Sequence, residues 1–309
     1  MRDTHTERLG IVVAVDGSPS STAAVEWAAR DADLRKVPLR IVHVMPSEPV
    51  AEGWYSVNMP DGFSQWQEEY AKQIVSDAHK LAESHVAPDR ADQVTTEILG
   101  GAIVHTLVEL SEHAELIAVG CRGQGTVAGA LLGSVSSGLA HHARCPVAVI
   151  HDEQPVDAQA PVVVGVDGSP TSELATEIAF DEASRRGVGL VALHAWTDMG
   201  RLGIAKIGWA PIEWRNIKVQ EEEVLAERLS GWSERYPDVE VTRVLVSDEP
   251  APRLLEQAEN AQLVVVGSHG RGAVPTTLLG SVSRTVVNSA RVPVIVARVP
   301  HGHRPDHQV

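Results

Sequence analysis

Cysteine, aromatic residues and positive charge are all scarce in this chain of 309 residues. Only Cys121 and Cys145 are cysteines, so a disulfide framework is excluded and a reducing compartment is expected. Aromatic residues make up 4%, so the core must consist of Val, Ile, Leu and Ala, which suits α/β packing. A formal net charge of -15 argues against nucleic acid as a partner. It does not exclude a small anion held by backbone N–H groups.

Long hydrophobic runs are also missing. No apolar run in the sequence reaches the length that a transmembrane helix needs, about 20 residues. The N-terminal residues MRDTHTERLG contain no hydrophobic signal region. We therefore expect a cytoplasmic protein without membrane insertion.

The sequence does contain a long internal repeat. Asp16 and Asp167, in matching VDGS segments, lie 151 positions apart, and Gly120 and Gly267 lie 147 apart. The matching segments are 11–18 with 162–169, 116–123 with 263–270, and LLGSVS at 131–136 and 278–283. We therefore predict two copies of one domain, 1–152 and 160–309, joined by a polar linker at 153–159.

Each copy alternates short Val/Ile/Leu runs with amphipathic segments. The runs lie at 11–15, 39–45, 94–98, 116–120 and 146–150, and at 162–166, 189–195, 240–246, 263–267 and 293–297. Runs of this kind predict parallel strands covered by helices on both faces, an α/β fold with two tandem, open, doubly wound sheets. Ser18-Pro19 and Ser169-Pro170 predict helix starts. Trp66 and Tyr70 are interpreted as part of a core-facing helix stripe, and Trp214 and Trp232 as part of another.

A glycine motif, G-x2-G-x9-G-S, follows the fourth strand in both copies. Glycine lets a phosphate approach the backbone, and the closing Gly-Ser-Val-Ser opens a helix whose free N–H groups attract an anion. The alternative is that these glycines only make tight turns. The motif residues are Gly120, Gly123, Gly133, Ser134, Val135 and Ser136, and then Gly267, Gly270, Gly280, Ser281, Val282 and Ser283.

With the VDGS turns and the final A-R-x-P-V strands (143–147 and 290–294), these motifs resemble the ATP-binding subgroup of the universal stress protein family. The resemblance implies Rossmann-like, five-stranded sheets in the order 3-2-1-4-5. It implies that Asp16 and Asp167 lie near ribose or Mg²⁺-bound phosphates, although capping of the following turn is the alternative. Ala14 and Gly165 would leave room for adenosine, and the backbone of Val44 and Ala195 would hold adenine.

Charged and reactive residues near these motifs differ between the copies. Arg122 in the first copy, and His269 with Arg271 in the second, are candidates to compensate phosphate charge. His43 and His194 match in strand two and are interpreted as hydrogen-bonded core groups. Cys121 lies in the first glycine loop, where a redox role is a minor alternative because Ser268 replaces it.

These observations favour a regulatory protein that binds ATP and Mg²⁺ once in each domain. The resemblance to the family implies that its nucleotide state signals growth or stress adaptation. No Walker lysine or positioned base is evident, which favours binding over catalysis. A slow Mg²⁺-dependent ATPase or a nucleotidyl transferase is the alternative. A third hypothesis is an assembly module. From the family, the last strands 146–150 and 293–297 would pair the halves as a pseudo-dimer, with a homodimer or an unknown protein partner left open.

Overall fold

The computed structural model describes residues 9–46, 63–124, 132–151, 157–196, 213–270 and 279–298. Arg271 and most of the predicted linker lie outside the described residues, and so does the side chain of Trp214. The chain divides into two compact units, Met1–Cys145 and Pro146–Val309, and each is described by itself.

The first unit is a parallel sheet with helices between its strands. Its strands run in the order β3-β2-β1-β4, and every adjacent pair is parallel. A short 3₁₀ helix, Pro88–Gln93, precedes β3. The elements are β1 (Ile11–Ala14), α1 (Pro19–Arg35), β2 (Leu39–Pro46), α2 (Phe63–Glu83), β3 (Val94–Gly101), α3 (Ile103–Leu110), β4 (Leu116–Gly120) and α4 (Ser134–His142).

The second unit repeats this order and completes it. Strands β8-β7-β6-β9-β10 are all parallel, which is the predicted order 3-2-1-4-5. The elements are β5 (Val147–Ile150), β6 (Val162–Gly165), α5 (Pro170–Arg186), β7 (Leu190–Ala195), α6 (Glu213–Arg235), β8 (Val241–Val246), α7 (Pro250–Ala258), β9 (Leu263–Gly267), α8 (Ser281–Ser289) and β10 (Val294–Ala297).

Strand β5 corresponds to the fifth strand of the first copy. It belongs to the second unit and pairs antiparallel with β10, with Val149 opposite Val294. The pairing of the two last strands is therefore present, whereas a pseudo-dimer of the halves stays a prediction. The predicted α/β class with a mostly parallel sheet is confirmed.

The sheets form because their strands can be buried on both faces. In β1, Ile11, Val12 and Val13 are fully buried, and Leu263 to Val265 in β9 are fully buried as well. Such uninterrupted burial is typical of parallel strands between two helical layers. In the part of the chain that the structure describes, no helix combines the length and hydropathy needed to cross a membrane.

The two long first helices begin where the sequence predicts. The Ser18 hydroxyl accepts a hydrogen bond from the Ser21 N–H at 3.2 Å, and Pro19 starts α1. Ser169 caps α5 in the same way. Each helix therefore starts immediately after the Asp-Gly-Ser turn, which fixes the position of that turn at the carboxyl end of the first strand of each copy.

The core-facing interpretation of Trp66 and Tyr70 is wrong. Their rings stack 5.4 Å apart, but 60% of Trp66 and 38% of Tyr70 remain exposed. Ala71 and Val75 are buried in their place, because the inward stripe of α2 is rotated by one residue. In the second unit, Trp232 does pack inward, against Phe180.

Candidate functional site

The candidate site in each unit is built where the Asp-Gly-Ser turn meets the loop after the fourth strand. In the first unit, the hydroxyls of Ser18 and Ser20 both donate to the Arg122 carbonyl oxygen. In the second, Ser169 and Thr171 donate to the His269 carbonyl oxygen at 3.3 and 2.6 Å. These contacts between side chain and backbone hold the glycine loop against the start of the helix.

Asp16 links the turn to the glycine loop. Its Oδ1 accepts the Ser18 N–H at 3.0 Å, and its Oδ2 accepts the Gln124 N–H at 2.9 Å. Burial opposes ionisation, but hydrogen bonds from Ser18, Gln124 and Ser21 together hold the pKa of Asp16 below its ordinary value. The carboxylate is therefore charged at neutral pH.

Asp167 repeats the turn contact, accepting the Ser169 N–H at 2.8 Å. The turn-capping interpretation is thus correct for both aspartates. It leaves room for ligand contact, because Asp167 also lines a cavity. Contact of either carboxylate with a nucleotide stays a prediction.

The first two motif glycines allow close packing within the site. A Cβ on Gly120 would lie 2.6 Å from the Ser20 carbonyl carbon, and one on Gly267 would lie 2.9 Å from the Thr171 carbonyl carbon. A Cβ on Gly123 would come within 2.7 Å of Asp16 Oδ2. These glycines therefore let the loop approach the turn and the helix start, a structural requirement that the sequence motif does not reveal.

The third glycine begins the last helix of each copy without a side-chain cap. Gly133 precedes α4 and Gly280 precedes α8, and neither helix start receives a side-chain hydrogen bond at its cap. An α-helix leaves its first N–H groups without intrahelical partners, which creates a binding place for an anion. Those N–H groups belong to the predicted residues 134–136 and 281–283.

The two serines that follow each of these glycines have different roles. Ser136 and Ser283 are each 1% exposed, and their hydroxyls donate to the carbonyl oxygens of Cys121 and Ser268. Ser134 and Ser281 are exposed instead. Because the hydroxyls of Ser136 and Ser283 donate within the protein, their predicted contact with a ligand would be made by their backbone N–H groups.

The second unit contains a cavity of about 810 Å³ at this point. All the residues predicted for the second site except Arg271 line this cavity. They come from the ends of three strands, the loops that follow them and the start of α8. Those residues are Gly165, Asp167, Ala195, Gly267, Gly270, Gly280, Ser281, Val282 and Ser283. The sequence interpretation missed Trp196, Glu249 and Leu254, which reach the same cavity through tertiary packing.

The corresponding residues of the first unit lie at equivalent strand ends. Ala14 ends β1, and Val44, which is 6% exposed, pairs with Leu99 near the end of β2. Arg122 and Gly123 directly follow the Cys121 that leaves β4. The Cys121 side chain is buried at 1% exposure, which disfavours the redox alternative.

The strand-two histidines are structural, as expected. His43 Nδ1 lies 2.8 Å from the Val15 carbonyl oxygen, and His194 Nδ1 lies 2.6 Å from that of Val166. His194 also contacts Glu221 through Nε2 at 3.2 Å. Among the described residues, no group of three or more His, Cys, Asp or Glu side chains could hold a metal ion.

The fold and the repeated site define a tandem α/β protein with Rossmann-like topology. The model of the universal stress protein family matches residues 10–151 and 160–298. Universal stress protein Rv1996 of Mycobacterium tuberculosis is 59% identical over 309 residues, covering 94% of this chain and 96% of the relative. Universal stress protein Rv2623 of the same organism is 52% identical over 293 residues, with 94% and 96% covered.

A solved structure supports the same assignment of fold. The crystal structure of a universal stress protein from Archaeoglobus fulgidus aligns with a TM-score of 0.66 at 24% identity, covering 94% of this chain and 99% of that one. The chain therefore belongs to the universal stress protein family and contains two copies of its domain.

Proposed function

We propose that this protein is a cytoplasmic stress-response regulator that binds ATP with Mg²⁺ once in each unit, and that its nucleotide state is the signal. The observation that carries this proposal is the cavity of about 810 Å³ at the carboxyl ends of β6, β7 and β9. Its volume lies within the range of about 300–1,000 Å³ that small-molecule sites occupy. Ligands of open α/β sheets bind at this edge.

The lining of the cavity fits the parts of a nucleotide. Gly165 adds no side chain to the cavity wall beside Leu254, whose Cδ1 would lie 3.2 Å from a Cβ at this position, and we assign adenosine to this apolar region. The backbone at Ala195 would bind the adenine edge. The phosphates would be held by N–H groups of the glycine loop and of the α8 start.

Mg²⁺ would be held mainly through the phosphates of the bound nucleotide. Mg²⁺ is usually bound by one or two carboxylates together with substrate phosphates, and it neutralises phosphate charge. Asp167, and Asp16 in the first unit, are the carboxylates that we assign to this role. The ionised state of Asp16 suits a metal contact better than proton transfer.

Native mass spectrometry of untreated protein and calorimetric titration with ATP and Mg²⁺ test the proposal. We expect two nucleotides per chain. Gly165→Val, which fills the cavity beside Leu254, should reduce the number to one. Gly165→Ala is the matched control because Ala14 stands at the same place in the first unit, so it should retain two.

Absence of bound nucleotide in both experiments would refute the proposal. A Mg²⁺-dependent phosphate-release assay addresses the alternative of a slow ATPase. Sustained turnover that disappears when Asp16 and Asp167 are both replaced by alanine would favour the ATPase alternative.

A further inference from the structure

Two buried nitrogen atoms without hydrogen-bond partners lie beside the second site. They are Nη1 of Arg228 and Nε2 of His269. A buried polar group without a partner is destabilising, so its retention needs an explanation. The nearby cavity wall contains the acidic residues Asp167 and Glu249, which would repel an anion unless cations compensate.

Arg228 lies on α6 and packs on the Asp-Gly-Ser turn. A Cβ on Gly168 would overlap its guanidinium group, so the cation rests on the residue between Asp167 and Ser169. Nη1 of this guanidinium is buried and has no hydrogen-bond partner among the described residues. Arginine binds phosphate oxygens through charge-assisted hydrogen bonds, and its charge is permanent.

The first unit has an apolar residue at the matching place. Ile74 Cγ1 lies 3.2 Å from the position of a Cβ on Gly17. The neighbouring residues of α2 and α6 support this match. Ala71 and Leu225, and Val75 and Leu229, are separated by the same number of residues as Ile74 and Arg228, and all four are buried. The repeat therefore substitutes a cation for an apolar side chain at one defined point.

That point borders the glycine loop. In the first unit, Gln124 Nε2 also lies 3.2 Å from the Cβ position of Gly17. Gln124 immediately follows Gly123 of the motif and donates its N–H to Asp16. A side chain at the place of Ile74 or Arg228 is thus next to the backbone that the proposed function assigns to phosphate.

His269 supplies the second nitrogen from the loop itself. It lines the cavity, and its Nδ1 lies 3.0 Å from the Ser268 hydroxyl. When Ser268 donates this hydrogen bond, the neutral imidazole carries its hydrogen on Nε2, which is then a free donor. The His269 carbonyl is fixed by Thr171 at 2.6 Å, so the residue has little freedom to move away.

We propose that Arg228 and His269 form an anion subsite of the second unit that binds the outer phosphate groups of a nucleoside polyphosphate. This inference rests on the proposed function and deepens it, because it makes the second site selective for polyphosphates over monophosphates. The first unit has Ile74 in place of Arg228 and therefore lacks this cation.

The test compares the affinities of ATP and AMP for the full-length parent and for Arg228→Ile, which introduces the residue of the first unit. We expect the variant to lose about tenfold in ATP affinity at one of two sites, with AMP binding unchanged, as expected for one charge-assisted hydrogen bond. Arg228→Lys should recover part of the loss. Arg243→Gln removes the same charge from the outer strand β8 and should have no effect. Thermal unfolding verifies that each variant is folded.

Titration with inorganic triphosphate separates this inference from the proposed function. If the parent binds triphosphate in a manner that depends on Arg228 but binds no adenine nucleotide, the subsite stands and the proposed function fails. If ATP binds the parent and Arg228→Ile equally well relative to AMP, the subsite is refuted while ATP binding stands. Replacement of His269 by glutamine should weaken ATP binding in the same site, and equal ATP affinity would remove His269 from the subsite.

Discussion

Replacing Gly120 by alanine should destabilise the first unit even when no ligand is bound. The sequence motif alone predicts that a methyl group at this position crowds the path of a phosphate. The structure gives a different first contact, because a Cβ would lie 2.6 Å from the carbonyl carbon and 2.8 Å from the carbonyl oxygen of Ser20. Backbone atoms at the start of α1 cannot rotate away as a flexible side chain can. The helix must shift, and the Ser18 and Ser20 contacts to the Arg122 carbonyl must lengthen.

Overpacking of this kind costs about 1–3 kcal/mol. For units of this size, each kcal/mol lowers the melting temperature by about 2–4 °C. Gly267→Ala should have a smaller effect, because its nearest backbone atom, the Thr171 carbonyl carbon, would lie 2.9 Å away. Gly231→Ala in α6 is the control: no atom lies within 4 Å of its Cβ, and alanine should stabilise the helix by about 0.5–1 kcal/mol.

Scanning calorimetry of the three variants against the parent provides the measurement. We expect the order of melting temperatures to be Gly231→Ala above the parent, then Gly267→Ala, then Gly120→Ala. If Gly120→Ala melts at the temperature of the parent, the packing argument is wrong and the glycine is kept for the ligand alone.

Three further variants test other contacts. Asp16→Asn should melt at a lower temperature than the parent at any pH above the ordinary aspartate pKa of 3.8. The difference in melting temperature should vanish as pH falls through the folded-state pKa of Asp16, which is lower than 3.8. A difference that does not depend on pH would contradict this prediction. Ser283→Ala should lose about 0.5–1.5 kcal/mol of stability in urea titrations, because it removes one donor to the Ser268 carbonyl, which keeps the Gly280 N–H at 2.8 Å; an unchanged midpoint would refute that role. Burial and the hydrogen bond to Asp181 raise the pKa of Tyr236 to about 12, so ultraviolet titration should show a phenol ionising there that is absent from Tyr236→Phe. The stabilisation from the hydrogen bond between the Tyr236 phenol and Asp181 should be full below pH 10 and should disappear as pH rises through about 12.

The strands and the helix starts could be predicted from the sequence because their signals are local. A fully buried parallel strand needs a run of branched apolar residues, and β9 contains Leu263, Val264, Val265 and Val266 in succession. The Ser169-Pro170 pair determines a helix start through one side-chain acceptor and one fixed backbone angle. The internal repeat made each of these signals visible twice.

Side-chain direction was harder to predict because it depends on helix phase and on distant elements. Trp66 and Tyr70 carry the residue types of a core stripe, yet α2 presents the neighbouring positions, such as Ala71, to the sheet. Glu249 lines the second cavity, and Arg228 packs on the adjacent Asp-Gly-Ser turn, although both belong to elements far along the chain. Nothing in their immediate sequence marks them, since only the packing of α6 and α7 places them near the glycine loop.

The comparison of the two units indicates where a difference in ligand preference must originate. Both provide the same backbone donors, because Gly133 and Gly280 begin their helices with nearly the same geometry, φ -76 and ψ 163 against φ -63 and ψ 159. Identical main-chain groups bind identical ligands equally well, so selectivity must come from side chains. The acidic Glu249 immediately precedes α7 where Ala102 precedes α3, which adds negative charge to the wall of the second cavity. The preference for polyphosphates that we propose for this site requires a cation to offset the added acid, and Arg228 lies against Gly168 of the adjacent turn to provide it.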